Sequence, residues 1–127
     1  MIGTLRREYT FEAAHWLPHV REGHKCGRIH GHSYRVTVIV RGPVQAEGPE
    51  AGMVMDFAKV DAFAGPLAAR LDHTTLNDHA GLENPTSEHV ARWFIWGLRH
   101  ALPCLHGVLV RETGRSDVLV LADEVEG

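Results

Sequence analysis

An alternating segment from Ser33 to Arg41 places the strongest constraint on how this chain folds. Every second residue from Tyr34 to Val40 is a tyrosine or a valine, and the residues between them are mostly polar or charged. This period of two predicts a β-strand with one buried face. His30 and His32 continue the same phase upstream, so both imidazoles should project from one face at the start of the strand.

The paired imidazoles indicate a metal site, and His15 is the natural third ligand. It follows a strand-like segment, Thr4 to Ala14, and shares the phase of the apolar residues there. If that strand pairs with the strand from His32, three histidines meet at one end of a hairpin. Three protein nitrogens and an open position are typical of catalytic zinc, whereas structural zinc sites close all four positions. The alternative is a set of half-buried neutral histidines bonded to carbonyl groups.

Length, charge and cysteine content exclude several classes of protein. The 127 residues predict a single domain over 1–127. A formal net charge of -3 without any basic run gives no general attraction to nucleic acid or to a membrane surface. No apolar segment is long enough to span a membrane or to act as a signal core, so a cytoplasmic location is expected. Cys26 and Cys104 allow at most one disulfide, which is no framework for a secreted scaffold.

Two helices are predicted in the middle of the chain. Asp56 is a candidate N-cap for the first, and Pro66 should kink this helix or split it in two. Its apolar stripe is Phe57, Val60, Ala64, Leu67 and Leu71. The second helix should begin at Thr86 as N-cap, or at Asn84 with Pro85 in the first turn, and should stop at Pro103. Its stripe is Val90, Phe94, Leu98, Ala101 and Leu102.

The chain ends in two further predicted strands, Val108 to Thr113 and Asp117 to Ala122, joined as a hairpin. The order strand, strand, helix, helix, strand, strand predicts an α+β fold, with a four-stranded antiparallel sheet covered on one face by two helices. Four short strands leave two open edges that a soluble protein must cover or pair. Pairing sheets between subunits would do so, and an oligomer is therefore expected.

Three further ionisable residues have two interpretations each. Asp72 and His73 form a dyad in which the carboxylate would orient the imidazole, or they are a helix-capping histidine and a solvated aspartate, and spacing alone favours the second. Glu112 shares the buried phase of Val108 and Val110. It would bind either a ligand with two parallel N–H groups or an arginine at the end of the sheet.

Several segments, read together, resemble the family of 6-pyruvoyl-tetrahydropterin and 6-carboxy-tetrahydropterin synthases. They are Phe11 to His15, Cys26 to His32, Gly52 to Phe57, Leu71 to His73 with Leu76 and Asn77, Asn84 to Glu88, and Glu112 with Thr113. They occur in the family's order across nearly the whole chain. The combination is highly specific, although each segment alone is a weak signal.

The resemblance implies the tunnelling fold, in which subunits join their sheets into a barrel and two trimers stack into a homohexamer. It implies three zinc ligands, namely His15, His30 and His32. It also implies a catalytic set assembled across a subunit boundary, namely Cys26, Asp72 and His73. Glu112 would then bind the pterin ring, and Thr86 and Ser87 would border the same pocket.

The short Cys-x3-His-Gly-His spacing from Cys26 resembles the bacterial carboxy-forming branch of this family, which feeds queuosine and related deazapurines. The implied reaction converts 7,8-dihydroneopterin triphosphate into 6-carboxytetrahydropterin, with release of acetaldehyde and triphosphate. Lys25 and Arg28 are candidates to neutralise the triphosphate by charge. Zinc would act on the substrate's adjacent hydroxyl groups, and Cys26 would move protons together with His73.

Other functions are compatible with some of the same residues. Within the family they are pyruvoyl formation and cleavage of the dihydroneopterin side chain. A binding module would use Cys26 as a fourth ligand and close a structural zinc site around the three histidines. A zinc hydrolase is disfavoured because no glutamate base stands beside a ligand as in His-Glu-x-x-His.

Overall fold

The structure is a computed structural model that describes residues 1–127. Its elements in chain order are β1 (Ile2–His15), β2 (His30–Pro43), α1 (Phe57–Leu71), β3 (Thr74–Thr75), α2 (Ser87–Leu98), β4 (Leu105–Arg111) and β5 (Asp117–Leu121). Short 3-10 turns lie at Lys25–Gly27, Leu76–Asp78 and Ala122–Glu124. Neither α-helix is long and apolar enough to cross a membrane.

A long hairpin forms the centre of the sheet. β1 and β2 pair antiparallel along their whole length, from Ile2 opposite Pro43 to His15 opposite His30. The predicted pairing of the first two strands is therefore confirmed. β4 pairs with the other edge of β2, and β5 pairs with β4, both antiparallel.

The sheet has five strands in the order β3-β1-β2-β4-β5 rather than the four that the sequence predicts. The additional strand, β3, runs parallel to β1 and pairs only Thr74 with Ala13 and Thr75 with Ala14. A strand of two residues carries no periodicity, so the sequence pattern could not reveal it. The remaining order of elements and the α+β class agree with the prediction.

The first helix begins as predicted but differs in two details. The Asp56 side chain caps α1 by accepting a hydrogen bond from the Ala58 N–H at 2.9 Å. Pro66 does not divide the helix, because it lies on the exposed side, where the carbonyl that loses its N–H partner remains open to water. Phe57 was expected in the apolar stripe but is 55% exposed, with the Arg7 guanidinium 5.3 Å from its ring centroid.

The second helix begins with Thr86 as N-cap, and the Thr86 hydroxyl oxygen accepts from the His89 N–H. It ends at Leu98, several residues before Pro103, so the expected stop at the proline is wrong. Residues 99–101 and 103–104 form turns instead of continuing the helix. Leu102 is still fully buried, because the chain folds back onto the core there.

One continuous core fills the space between the sheet and the two helices. The valines of β2 that predicted a buried face are fully buried, as is Phe94 of α2. The Phe11 ring stacks on the Tyr34 ring with centroids 5.0 Å apart, and on the Phe94 ring at 6.2 Å. This core therefore extends along β1 and β2 up to the histidines at the end of the hairpin.

A three-residue polar contact joins α1 to β1. The Arg7 guanidinium donates two hydrogen bonds to the Asp61 carboxylate, at 2.9 and 2.8 Å, and the Tyr9 hydroxyl donates a third at 2.6 Å. These donors favour the charged carboxylate, with Arg7 contributing most, and lower the pKa of Asp61 to about 2. Since the folded-state pKa lies below the usual value, this contribution is present above the unfolded pKa and is lost as the pH falls through the folded one.

Replacement of Asp61 by asparagine tests this contact. In metal-free protein, the Asp61→Asn variant should melt below the parent at neutral pH, and the difference should shrink as the pH falls from about 4 to about 2. The measurement is thermal unfolding by circular dichroism across that range. Asp123→Asn, which removes an exposed carboxylate that has no ion pair, is the control. A difference between Asp61→Asn and parent that does not change with pH would contradict the assignment.

Candidate active site

The open end of the hairpin brings three histidines together. His15 and His30 are directly opposite each other in the β1–β2 register, and His32 follows two residues along β2 on the same face. One nitrogen of each ring lies within 4.8 Å of the others. His15 is only 2% exposed, and the other two are half-buried. The predicted meeting of the three imidazoles is confirmed, and this cluster could hold a metal ion.

Backbone carbonyls orient two of the three rings. The Nδ1 atom of His15 is 2.8 Å from the Pro85 carbonyl oxygen, and Nδ1 of His30 is 2.6 Å from that of Arg28. A carbonyl only accepts, so each Nδ1 carries the proton and each Nε2 keeps a free lone pair. Outer hydrogen bonds of this kind fix the orientation and raise the basicity of metal-binding histidines.

The third ring, His32, has a buried nitrogen that lacks a hydrogen bond. Nε2 of His32 is buried and makes no hydrogen bond of acceptable geometry, although a Glu112 carboxylate oxygen lies 3.4 Å away. Buried polar atoms in folded proteins almost always have a partner, and a metal ion is one of the accepted explanations for an exception. The donor set therefore fits a cation bound by neutral imidazole nitrogens.

Burial favours the neutral form of two of these imidazoles. Desolvation lowers the pKa of His15 and of His32 from the usual histidine value, although the Pro85 carbonyl opposes the shift of His15 and the Glu112 carboxylate opposes both. Metal ions bind the neutral form of histidine. Burial thus favours, in His15 and His32, the neutral form that a metal ion would bind.

Glu112 lies one residue beyond β4 and next to the histidine cluster. One oxygen of its carboxylate accepts from the Ser87 hydroxyl at 2.9 Å, and the other is 3.4 Å from Nε2 of His32. No arginine forms an ion pair with it, so the arginine alternative is wrong. The side chain is 28% exposed, which leaves the carboxylate accessible to a ligand. Thr86, beside Ser87, uses its hydroxyl oxygen as the helix cap.

Asp72 and His73 are in contact, which spacing alone did not favour. Nδ1 of His73 is 2.9 Å from the Asp72 carboxylate. His73 has a φ of 58°, in the left-handed region that residues other than glycine adopt infrequently. The backbone of Glu12 on β1 holds the pair, since its N–H donates to Asp72 at 2.9 Å and its carbonyl accepts from the His73 N–H at 2.6 Å.

The charge state of this dyad follows from those contacts. The Glu12 N–H is the main cause that lowers the pKa of Asp72, and the bond with His73 adds to it. Asp72 is therefore a stable anion that fixes Nδ1 of His73 as the protonated nitrogen. The His73 side chain is 79% exposed, so its Nε2 can reach a partner outside this chain.

Cys26 is placed apart from both groups within one chain. It lies in the 3-10 turn Lys25–Gly27 of the loop between β1 and β2, is half-buried, and donates its N–H to Nδ1 of His24. It does not belong to the histidine cluster. No hydrogen bond joins it to Asp72 or His73.

An open pocket of about 550 Å³ lies between one histidine of the cluster and the histidine of the dyad. His32 and His73 both line it. The sequence did not single out two other lining residues, Glu12 and Ser33, whose side chains bond at 2.7 Å. They oppose each other in the β1–β2 register, so a residue-by-residue alignment of the predicted hairpin would have revealed them. The pocket could therefore admit a substrate that reaches His32 and His73 together.

Comparison with known proteins identifies the family. The chain belongs to the 6-pyruvoyl tetrahydropterin synthase family, whose model matches residues 4–121. The resemblance read from the sequence is thereby confirmed.

Two similar proteins and one solved structure carry more specific names. A Synechocystis protein called 6-carboxy-5,6,7,8-tetrahydropterin synthase is 51% identical, with 84% of each chain covered. A Pyrococcus furiosus protein called dihydroneopterin monophosphate aldolase is 33% identical over 74% of this chain and 73% of its own. The solved structure of Caenorhabditis elegans 6-pyruvoyl tetrahydropterin synthase superposes with a TM-score of 0.83 at 28% identity, covering 95% of this chain and 96% of that one.

Metal binding by the three histidines gives a direct prediction. His30→Ala should weaken Zn²⁺ binding by at least about a hundredfold, because loss of an outer-sphere partner alone costs ten- to a hundredfold and this change removes a ligand. The dissociation constant is measured by competition with a chromophoric chelator. His100→Ala, at an exposed position remote in sequence, is the control. Equal affinity in His30→Ala and parent would rule out this site.

Proposed function

We propose that this chain is a zinc-dependent 6-carboxy-5,6,7,8-tetrahydropterin synthase. It would convert 7,8-dihydroneopterin triphosphate into 6-carboxytetrahydropterin, releasing acetaldehyde and triphosphate, as a cytoplasmic step towards queuosine and related deazapurines. The observation that carries the proposal is the cluster of His15, His30 and His32 beside Glu112. The 51% identity to the Synechocystis enzyme supports the carboxy-forming branch.

Zinc bound by the three imidazoles would supply Lewis acidity towards the hydroxyl-bearing side chain of the substrate. Three nitrogen donors leave a coordination position open, which catalysis requires. Cys26 lies outside the cluster, and this disfavours the closed structural site of a binding module. The protein's role is to orient the His15 and His30 rings through the Pro85 and Arg28 carbonyls, which keeps their Nε2 atoms free for the metal.

Glu112 would bind the pterin ring. An aminopyrimidine edge presents two parallel N–H groups, and a carboxylate accepts both at once. The Ser87 hydroxyl already donates to one oxygen and fixes the carboxylate plane. Because Glu112 is next to His32, the bound ring would place the substrate side chain at the histidine cluster.

Asp72, His73 and Cys26 would move protons. Asp72 holds the proton on Nδ1 of His73, so Nε2 is the atom that accepts a proton from the substrate. Cys26 of an adjoining subunit would supply the thiol that works with it, because no contact joins the two within one chain. Lys25 and Arg28 on the same loop would neutralise the triphosphate by charge.

A homohexamer built from two trimers would complete this site. The outer edge of β1 is paired only at Ala13 and Ala14, and β5 has a free outer edge. Pairing these edges between subunits would close the sheets of one trimer into a barrel. Each chain would contribute as a single domain over 1–127.

Two other activities have specific support. The C. elegans structural neighbour favours pyruvoyl formation, in which triphosphate leaves without loss of acetaldehyde. The P. furiosus relative favours aldolase cleavage of a dihydroneopterin side chain. Product analysis separates these activities from the proposed one.

Incubation of zinc-loaded protein with 7,8-dihydroneopterin triphosphate tests the proposal. Mass spectrometry should detect 6-carboxytetrahydropterin, with acetaldehyde in equal amount. Cys26→Ala should lower kcat by at least about a hundredfold with zinc retained, because proton transfer by a positioned group contributes that much or more. Cys104→Ala, which removes the other free thiol, should turn over normally. A pterin product without acetaldehyde would contradict carboxy formation.

A further inference from the structure

The side-chain amide of Asn77 forms two hydrogen bonds with the backbone of Trp16. The Trp16 N–H donates to Asn77 Oδ1 at 3.1 Å, and Asn77 Nδ2 donates to the Trp16 carbonyl at 2.8 Å. The Asn77 amide thus provides hydrogen-bond partners for both the N–H and the carbonyl of Trp16, as the backbone of a neighbouring strand would. The β1–β3 pairing ends at Ala14 and Thr75, so Asn77 extends this edge beyond the last paired residues.

Trp16 lies between the histidine cluster and the loop that carries Cys26. It directly follows His15, one of the three clustered histidines, and it begins the loop that carries Cys26. The Leu17 N–H donates to the Cys26 carbonyl at 2.8 Å, which closes the loop at its base.

The Cys26 loop depends on its base for its position. Every hydrogen bond made by residues 18–27 has its partner within residues 17–28. The loop is therefore held to the rest of the protein through its two ends. Asn77 fixes the end at Trp16, and the β2 pairing fixes the end at His30.

Asn77 also belongs to the segment that carries the dyad. It lies in the 3-10 turn Leu76–Asp78, four residues after His73, and the fully buried Leu76 attaches this turn to the core. A single amide therefore connects the Asp72–His73 segment with the end of β1 and with the Cys26 loop.

We infer that Asn77 is a positioning residue that sets both the geometry of the histidine cluster and the place of the Cys26 thiol. Asn77 holds the backbone of Trp16, and Trp16 in turn positions His15, which precedes it, and the Cys26 loop, which follows it. The inference rests on the proposed roles of these residues, yet its test needs no pterin substrate. Failure of the proposed reaction in the parent would therefore leave this test intact.

The test compares Asn77→Ala with Gln45→Ala in a Cys104→Ala background, where Cys26 is the only thiol. Gln45 is the matched control, because its amide also donates to a backbone carbonyl, that of Val54, but far from the site. Two quantities are measured on each variant. They are the rate at which iodoacetamide alkylates Cys26 in zinc-loaded protein, and the Zn²⁺ dissociation constant from chelator competition.

Asn77→Ala should alkylate at least about fivefold faster, since the loop opens more often when its base is released. It should also bind Zn²⁺ about tenfold more weakly, as expected when the support of a ligand is lost. Gln45→Ala should match the background protein in both. A folded Asn77→Ala with both quantities within about twofold of the background overturns the inference, and so does a change in only one of them.

A merely structural role would lower the melting temperature of Asn77→Ala without changing either quantity in the folded protein. If Asn77→Ala fails to fold, the alkylation rate and the Zn²⁺ dissociation constant are measured on Asn77→Asp instead. This variant keeps an acceptor for the Trp16 N–H but places a carboxylate against the Trp16 carbonyl. It should shift both quantities in the same direction, and unchanged values in folded Asn77→Asp overturn the inference.

Discussion

The antiparallel pairing of β1 with β2 is the interaction on which the rest of the structure depends. Its register runs without interruption over fourteen residues of each strand and places His15 opposite His30. A shift by one residue would turn each side chain of one strand to the other face, which would separate the imidazoles and expose the valines. The apolar core thus fixes the register, and the register fixes the three-histidine cluster at the end where the core stops.

The site is assembled from backbone groups as much as from side chains. Carbonyls of Pro85 and Arg28 orient two imidazoles, and the backbone of Glu12 holds the Asp72–His73 dyad. Such donors and acceptors belong to strands and loops that the core already holds in place, so they add orientation with little loss of side-chain entropy. This explains how a chain of 127 residues positions several polar groups around one end of its central hairpin.

Much of this arrangement could be predicted from the sequence, because strand and helix periods and caps are local signals. The hairpin, the order of the predicted elements and the histidine cluster followed from them. The two-residue β3 has no period, and the exposure of Phe57 depends on where Arg7 lies in the folded protein. The Asp72–His73 contact occurs with His73 at a positive φ, which no residue type dictates. The bonds between Asn77 and Trp16 join side chain to backbone across the fold, which patterning cannot reveal.

An open three-histidine centre with a separate thiol is tested most directly by the absorption spectrum of the cobalt-substituted protein. Cobalt held by imidazoles and solvent should show d–d bands in the visible range without a thiolate charge-transfer band in the near ultraviolet. The spectrum should be the same in Cys26→Ala. A charge-transfer band in the parent that disappears in Cys26→Ala would show a sulfur ligand, and would contradict a catalytic metal centre in favour of a closed structural one.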